Sequence, residues 1–536
     1  PDDNGQAVTG YEVRVAKVPV TDANFDTATV TQAIPFTGSP AASGLPNGVL
    51  ARNLNIEQDY YFGVKAKDAA GNLGPLVATT VASTARFLAT VLSGVGTDGF
   101  GYTVSGTGDF GRPAGLGFVP DGYSDLVVGA TGGKHVYLYF GSATGYSAAA
   151  NVTITIQAAT AIVTAIDAGD LDGDGLNDLA ISSSSESKVY IYSRKNPPAS
   201  WGTSTGWPAA LNDTQANYVI SVGGMFMGVL ASRPLGRLGN FDGMGADDLS
   251  IGISSYSTQT GALFVVKGST AFASLSLPDP VNSIEIDGTA TNTLFGSIVM
   301  GIGRFYPPPP ASPTAVGNTI VVSAPKVGTT YAFPGQSPAG AITAAAAVDS
   351  VVDATTSVTL GFMGPLGVSP GAVTVGTTVG KYVDVHLGTP LTGPFLGVMG
   401  AAPTPSVRFV DSMVGNAFGV INVGGGIPGT SASVSFIGGD NVPDLVLAGQ
   451  LETGDPVYIV NGAVIPTLSG MVDVSAPQTA VVPSAVKILN QIPQTPMTWG
   501  GFSMGAVVPD CDGDQYGDFV VGEFALGKAG RAVVFH

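Results

Sequence analysis

The sequence is short of the residues on which most enzymes and most small secreted domains depend. A single cysteine, Cys511, excludes an internal disulfide. Large secreted β proteins dispense with disulfides when metals staple them, so this does not assign a cytosolic compartment. Charged residues are 11% of the 536 positions, against a usual share of about 25%, which excludes a Glu/Lys/Arg-rich coiled coil. Basic residues number 21 against 39 acidic, a net charge of −18, and no basic cluster interrupts that balance. Such a surface repels nucleic-acid phosphates and anionic lipid and favours cations. Histidine occurs three times, at His135, His386 and His536, all on expected strands, where packing is the ordinary role. No GxSxG elbow, HExxH helix, phosphate-binding loop or paired-cysteine motif is present. No apolar run approaches the ~20 residues of a membrane-spanning helix.

What is abundant points one way. Hydrophobic residues are 44%, with 76 Gly and 37 Pro, a composition too apolar for disorder and too turn-rich for helix bundles. The expected fold class is all-β. The chain opens at Pro1 as if inside a domain, so it reads as part of a longer polypeptide whose leader, if any, lay upstream.

Residues 1–83 form a first unit. Tyr11–Lys17 alternates as a strand, a turn-rich stretch follows, and strands are expected at Val49–Leu54, Tyr60–Lys67 and Leu76–Ala82. Leu54 and Tyr60 six apart, Val64, Ala66 and the AAGNLG turn resemble the later part of a fibronectin type III domain. The resemblance implies a truncated β-sandwich in which Tyr60 folds back to pin the turn between two sheets.

From residue 84 onward the chain repeats. A short strand, usually aromatic and ending in Gly, recurs at HVYLYFG (135–141), KVYIYSR (188–194), ALFVVKG (262–268), TTYAFPG (329–335), PFLGVMG (394–400), PVYIVNG (456–462) and RAVVFH (531–536). An apolar strand precedes each: DLVVGA (125–130), DLAISS (178–183), DLSIGI (248–253), TIVVSAP (319–325), YVDVHLGTP (382–390), DLVLAG (444–449) and DFVVGE (518–523). Before most of these stands a large residue plus glycine: Phe100-Gly101, Met227-Gly228, Phe295-Gly296, Leu360-Gly361, Phe418-Gly419 and Trp499-Gly500. Repeats of this length signal propellers or solenoids. The pattern resembles the FG-GAP repeat of the integrin α-subunit β-propeller. That resemblance implies, over 84–536, seven blades of four antiparallel strands around an axis. The seventh copy stops at its third strand, so Arg86–Leu92 (RFLATVL) is expected to close the ring as its fourth.

Two copies carry dense acidic loops: Asp170, Asp172, Asp174, Leu176 and Asp178 in the second, and Asp510, Asp512, Asp514, Tyr516 and Asp518 in the seventh. Carboxylates at positions 1, 3, 5 and 9 with a carbonyl at 7 gather the six or seven oxygens that calcium accepts. Ile181 and Val521 stand where an EF-hand needs a bidentate Glu, which excludes that motif. The resembling family binds calcium at these positions; the alternative is plain Asp-Gly turns, in which four clustered carboxylates would repel one another. A third, degraded set is Asn240, Asp242 and Asp248, with Met244 at position 5. The first copy keeps Asp121 and Asp125, with Asp109 displaced, and the sixth keeps Asp440 and Asp444; for both, the turn reading is preferred.

Cys511 occupies position 2 of its loop, where the side chain is expected to point away from the ion as a tolerated substitution. Pro307–Pro310 reads as a surface loop, and Asn151 and Asn212 begin glycosylation sequons. The expected function is a calcium-binding, non-enzymatic adhesion or assembly protein, extracellular or at the cell surface. Its propeller would present a rigid surface to a protein or glycan partner. The alternatives are a secreted polysaccharide lyase, disfavoured by sparse Lys, Arg and His, and a lectin propeller, disfavoured by only three tryptophans (Trp201, Trp207, Trp499).

Overall fold

A computed structural model describes residues 8–34, 36, 59–78, 82–83, 89–111, 121–130, 132–158, 163–195, 197–201, 206–223, 235–303, 317–335, 342–347, 349–352, 357–363, 372–377, 382–387, 406–410, 418–423, 444–449, 457–462, 464–474, 485–488, 505–513, 517–523 and 529–536. Val49–Leu54, Met227-Gly228, Pro307–Pro310, PFLGVMG, Asp440, Trp499-Gly500, Asp514 and Tyr516 lie outside these residues, as does the 86–88 part of the expected closing strand. The chain is all-β. Among the described residues, helix is limited to Tyr256–Gln259 and a few three-residue turns, and none is long and apolar enough to cross a membrane. Two compact units divide it, Pro1–Leu88 and Ala89–His536.

In the first unit, Gly10–Ala16 pairs antiparallel with Thr31–Ile34 on one side and Asp59–Lys67 on the other. Alternation along Gly10–Ala16 sends Val13 and Val15 into a core with Ile34 and the buried Tyr60. Thr31–Ile34 falls within the stretch read from sequence as turns. With polar Thr31 and Gln32 in four residues, it carries too short an apolar pattern to declare itself.

Among its described residues the second unit contains seven sheets. In the first six, four strands add antiparallel in sequence: Val163–Gly169, Asp178–Ser183, Lys188–Tyr192 and Tyr218–Ser221 make the pattern of one sheet. The second strands Asp125–Ala130, Asp178–Ser183, Asp248–Ile253 and Thr319–Ala324 are buried at every residue. Covered on both faces, they read as continuous apolar runs rather than alternating ones. The first strands neighbour one another in order: Phe100–Gly108, Val163–Gly169, Leu235–Gly239, Val299–Gly303, Ser357–Met363, Phe418–Val423 and Gly505–Val508, which lies beside Phe100–Gly108 again. In the last sheet the outer strand is Ala89–Ser93, paired antiparallel with Arg531–Phe535 from Ala89 opposite Phe535 to Ser93 opposite Arg531.

Three features depart from the sequence reading. Among the described residues, four sheets of the second unit have five strands rather than four, because the connection between third and fourth strands of a later sheet lends a short strand in parallel. Ala210–Asn212, Leu275–Ser276, Ile342–Thr343 and Gly470–Asp473 each cap the outer edge of the preceding sheet in this way. An edge so covered no longer offers unpaired amides to another chain. In the fifth sheet, Tyr382–Leu387 is the third strand rather than the second. It pairs with both Ala372–Thr377 and Val407–Val410, so the apolar PFLGVMG stretch misled the assignment. Finally, the aromatic-glycine pairs stitch sheets together. Phe295 packs on Tyr331 and Phe333 of its own sheet, while its amide donates to Thr260 O just before the third strand of the preceding sheet. Phe100 does the same with Tyr137 and Tyr139, its amide donating to Ala529 O ahead of Arg531–Phe535. A Cβ on Gly261 or Gly530, both at positive φ, would strike the backbone of Phe295 or Phe100. These two glycines were not singled out from sequence, although each directly precedes a third strand.

Candidate metal centre

The acidic loops join the first and second strands of a sheet, and their geometry follows from one repeated anchor. The aspartate that opens the second strand turns back, and its Oδ2 accepts the amide of loop position 2. The bonds are Leu171 N to Asp178 at 2.9 Å, Phe241 N to Asp248 at 2.7 Å, Cys511 N to Asp518 at 2.7 Å, and Phe110 N to Asp125 at 2.6 Å. All four position-2 residues are fully buried. Cys511 is therefore a core anchor, and the expectation of a permissive loop position is corrected: an exposed or polar residue there would lose the packing that seats the loop.

The loop backbone is also a joint between sheets. Position 1 accepts an amide from the next sheet: Asp247 N to Asp170 O at 2.8 Å, Asn318 N to Asn240 O at 2.7 Å, and Ser124 N to Asp510 O at 2.8 Å. Position 2 does likewise, with Ser269 N to Leu171 O at 2.8 Å and Ser142 N to Cys511 O at 3.0 Å. The bonds from Ser124 and Ser142 tie the last sheet to the first. Neither class of bond is visible in sequence, since backbone acceptors have no residue signature.

In the loop 170–178, Gly173 and Gly175 adopt positive φ and let the chain curl around its own carboxylates. Asp170 accepts the amides of Asp174 and Gly175, both at 2.9 Å, and Asp174 accepts that of Leu176 at 2.8 Å. One carboxylate oxygen from each of Asp170, Asp172 and Asp174 lies within 4.8 Å of the others; Asp178 is not in that set. Asp172 Oδ2 accepts from Ser193 Oγ at 2.6 Å, but Asp172 Oδ1 and Asp178 Oδ1 are buried without any hydrogen bond. Burial, with Asp172 beside it, holds the Asp178 carboxyl well above the ordinary range; burial raises Asp174 too. Two buried carboxylate oxygens without donors are costly unless a cation meets them. The trio Asp170, Asp172 and Asp174 could hold a hard divalent ion. Arg194, buried nearby and donating to Phe110 O, adds a positive charge that lowers Asp174 in part.

The seventh loop brings Asp510, Asp512 and Asp518 within the same 4.8 Å spacing. In the third loop, no three acidic groups gather this way. Asn240 and Asp242 both accept the Met244 amide, at 3.0 and 2.8 Å, and Met244 is 72% exposed. Asp248 Oδ1 is taken by Gly268 N at 2.8 Å, as Asp125 Oδ1 is by Gly141 N and Asp444 Oδ1 by Gly462 N, both at 2.9 Å. Asp109 does return to the first loop, accepting the amides of Gly111 and Gly122 at 2.9 and 3.0 Å, but it completes no such acidic trio.

Of the other singled-out residues, Trp201 and Trp207 are buried with ring centroids 5.3 Å apart, so neither offers a face to a sugar. His135 bonds Asp98 at 3.1 Å, and His386 is buried. No curated protein matches the chain significantly. Residues 120–181, which run through the whole Asp170–Asp178 loop, match the family model described as an FG-GAP-like repeat and so support a family of FG-GAP type.

Proposed function

We propose that residues 84–536 form a seven-bladed FG-GAP propeller, preceded by a fibronectin type III-like module at 1–83, and that calcium in the loops 170–178 and 510–518 staples its blades. The cyclic order of the seven first strands, the outer strand Ala89–Ser93 and the joint bonds from last sheet to first support the ring. One observation carries the metal reading: Asp172 Oδ1 and Asp178 Oδ1 are buried and donorless inside the loop whose carbonyls join two sheets. Calcium would supply the positive charge these oxygens lack. The chain's own residues do the rest. Asp178 fixes the loop entry through Leu171, Asp170 shapes the turn, and the Asp170 and Leu171 carbonyls hold the next sheet.

A ring held this way is a rigid platform whose connecting loops are free to vary and to bind. The function proposed is a non-enzymatic, extracellular adhesion or assembly protein whose partner is a protein or glycan. Calorimetric titration of the metal-free chain with calcium is expected to give two sites; no heat of binding would overturn the metal reading. Immobilised chain is expected to retain matrix proteins or glycans, and to release no unsaturated product from acidic polysaccharides. Calcium-dependent appearance of such a product would overturn the non-enzymatic reading.

A further inference from the structure

The seventh loop has a second face that oxygen chemistry does not explain. Cys511 is a buried free thiol, and its Sγ lies 3.3 Å from His536 Nδ1. The same nitrogen is 3.7 Å from Asp518 Oδ1 and 3.8 Å from Asp512 Oδ2. Cys511, Asp518 and His536 each place one ligand atom within 4.8 Å of the others. On the far side of the ring, His536 Nε2 is 3.0 Å from Thr90 Oγ1, on the strand Ala89–Ser93. A hydrogen bond there fixes the imidazole plane and leaves Nδ1 to face the sulfur and the carboxylates, the outer-sphere support typical of metal-binding histidines.

We propose that Cys511 Sγ, His536 Nδ1 and Asp518 Oδ1 form three corners of a tetrahedral site, its fourth position open, for a borderline-soft divalent ion of the zinc class. With metal–sulfur, metal–nitrogen and metal–oxygen bonds of about 2.3, 2.0 and 2.1 Å, a tetrahedron separates sulfur from nitrogen by about 3.5 Å and nitrogen from oxygen by about 3.4 Å. The sulfur–nitrogen distance of 3.3 Å and the nitrogen–Asp518 distance of 3.7 Å need adjustment by only a few tenths of an ångström. Binding forms the metal–sulfur bond and releases the thiol proton to solvent. The site lies at the seam where the last sheet receives Ala89–Ser93, so the ion would clamp loop, third strand and outer strand together. Because Asp518 is shared with the oxygen face of the same loop, calcium and the softer ion exclude one another here, whereas the loop 170–178 offers no sulfur or imidazole.

Cobalt(II) is the probe, and the single cysteine makes its reading unambiguous. The metal-free chain of residues 1–536 given cobalt is expected to develop a thiolate-to-cobalt charge-transfer band, bleached by one equivalent of zinc. Cys511→Ser should abolish the band, and His536→Gln should weaken cobalt affinity at least tenfold. Calcium stabilisation through Asp174 is expected to persist in both variants, which separates this site from the calcium reading. Should Cys511→Ser fail to fold, X-ray absorption of the zinc-loaded natural chain decides, with one sulfur expected in the first shell. Absence of the band in folded chain, or an all-oxygen zinc shell, would overturn the proposal.

Discussion

The loops 170–178 and 240–248 share a backbone but differ in what meets their last carboxylate. Both begin with a buried position-2 residue whose amide is caught by Oδ2 of the closing aspartate, and both pass a carbonyl bond to the next sheet. In the third loop, Gly268 N occupies Asp248 Oδ1, so hydrogen bonds alone satisfy the turn. In the second loop no amide reaches Asp178 Oδ1, and Asp172 Oδ1 is bare as well. The same strand connection therefore either gives its closing carboxylate oxygen a backbone donor or leaves it without one. On the calcium reading proposed above, the occupant of that oxygen, rather than the number of aspartates, separates the two loops.

Chelation should produce the largest separation between the two. A cation bound only by the folded state contributes RT ln(1 + [L]/Kd), about 2.7 kcal/mol per site at a hundredfold excess over Kd, or roughly 5 kcal/mol for two. Removing calcium is expected to lower the melting temperature and open 170–178 to protease while 240–248 stays protected. Equal cleavage at both loops would erase the distinction.

The pH response should differ in sign. Asp248 is raised from 3.8 to about 7, first by burial and then by Asp242. A carboxyl raised on folding contributes its stability while protonated, and that contribution is lost as pH rises between about 4 and 7. At about 1.36 kcal/mol per unit, the loss is bounded near 4 kcal/mol. Denaturant unfolding at pH 5 and 7.5 in chelator is expected to show a smaller loss in Asp248→Asn than in the natural chain. With calcium present, protons and ion compete for Asp178, whose carboxyl burial holds well above the ordinary range, so that loop gains stability as pH rises. A matching slope in both would break the comparison.

Much of this was legible in the sequence, and what was not has a physical reason. Second strands such as DLVVGA and DLAISS announce themselves because both faces are buried. The parallel capping strands do not: Leu275–Ser276 has two residues, and its partner Ile220 lies in another sheet. Of the ligand set read from spacing, Asp170, Asp172 and Asp174 do come together, while Asp178 stands outside that trio. Spacing could not show that Gly268 closes one loop, since that depends on where the third strand ends. Nor could it show Cys511 against His536, which are 25 residues apart and meet only when strands 518–523 and 531–535 pair.

Single carboxylates should act at the scale of one site. Asp178→Asn keeps an acceptor for the Leu171 amide but removes the charge. It is expected to forfeit about 2.7 kcal/mol in calcium and little or nothing in chelator. Asp248→Asn should instead cost the same in both buffers, because it disturbs three amide bonds, from Phe241, Asp242 and Gly268, and no ion. Parallel melting curves with and without calcium, for both variants, measure this directly. A calcium-dependent loss in Asp248→Asn would place an ion in the third loop after all.

The smallest effect is expected from restoring position 5 of the third loop. Met244 is exposed, so Met244→Asp introduces a carboxylate beside Asn240 and Asp242 with no cavity to refill. If position 5 alone decided binding, the variant would gain calcium stabilisation on the scale that Asp174→Ala loses. The loop geometry argues otherwise. Asp248 Oδ1 remains held by Gly268 N, and Asn240 brings an amide where Asp170 brings a charge. The new site would therefore lack two of the ligands that the second loop offers, and calcium near its dissociation constant would contribute only about 0.4 kcal/mol. Calorimetry at millimolar calcium, with the natural chain as baseline, is expected to find weak binding at most. Tight binding would shift the deciding feature from the occupied oxygen to the residue at position 5.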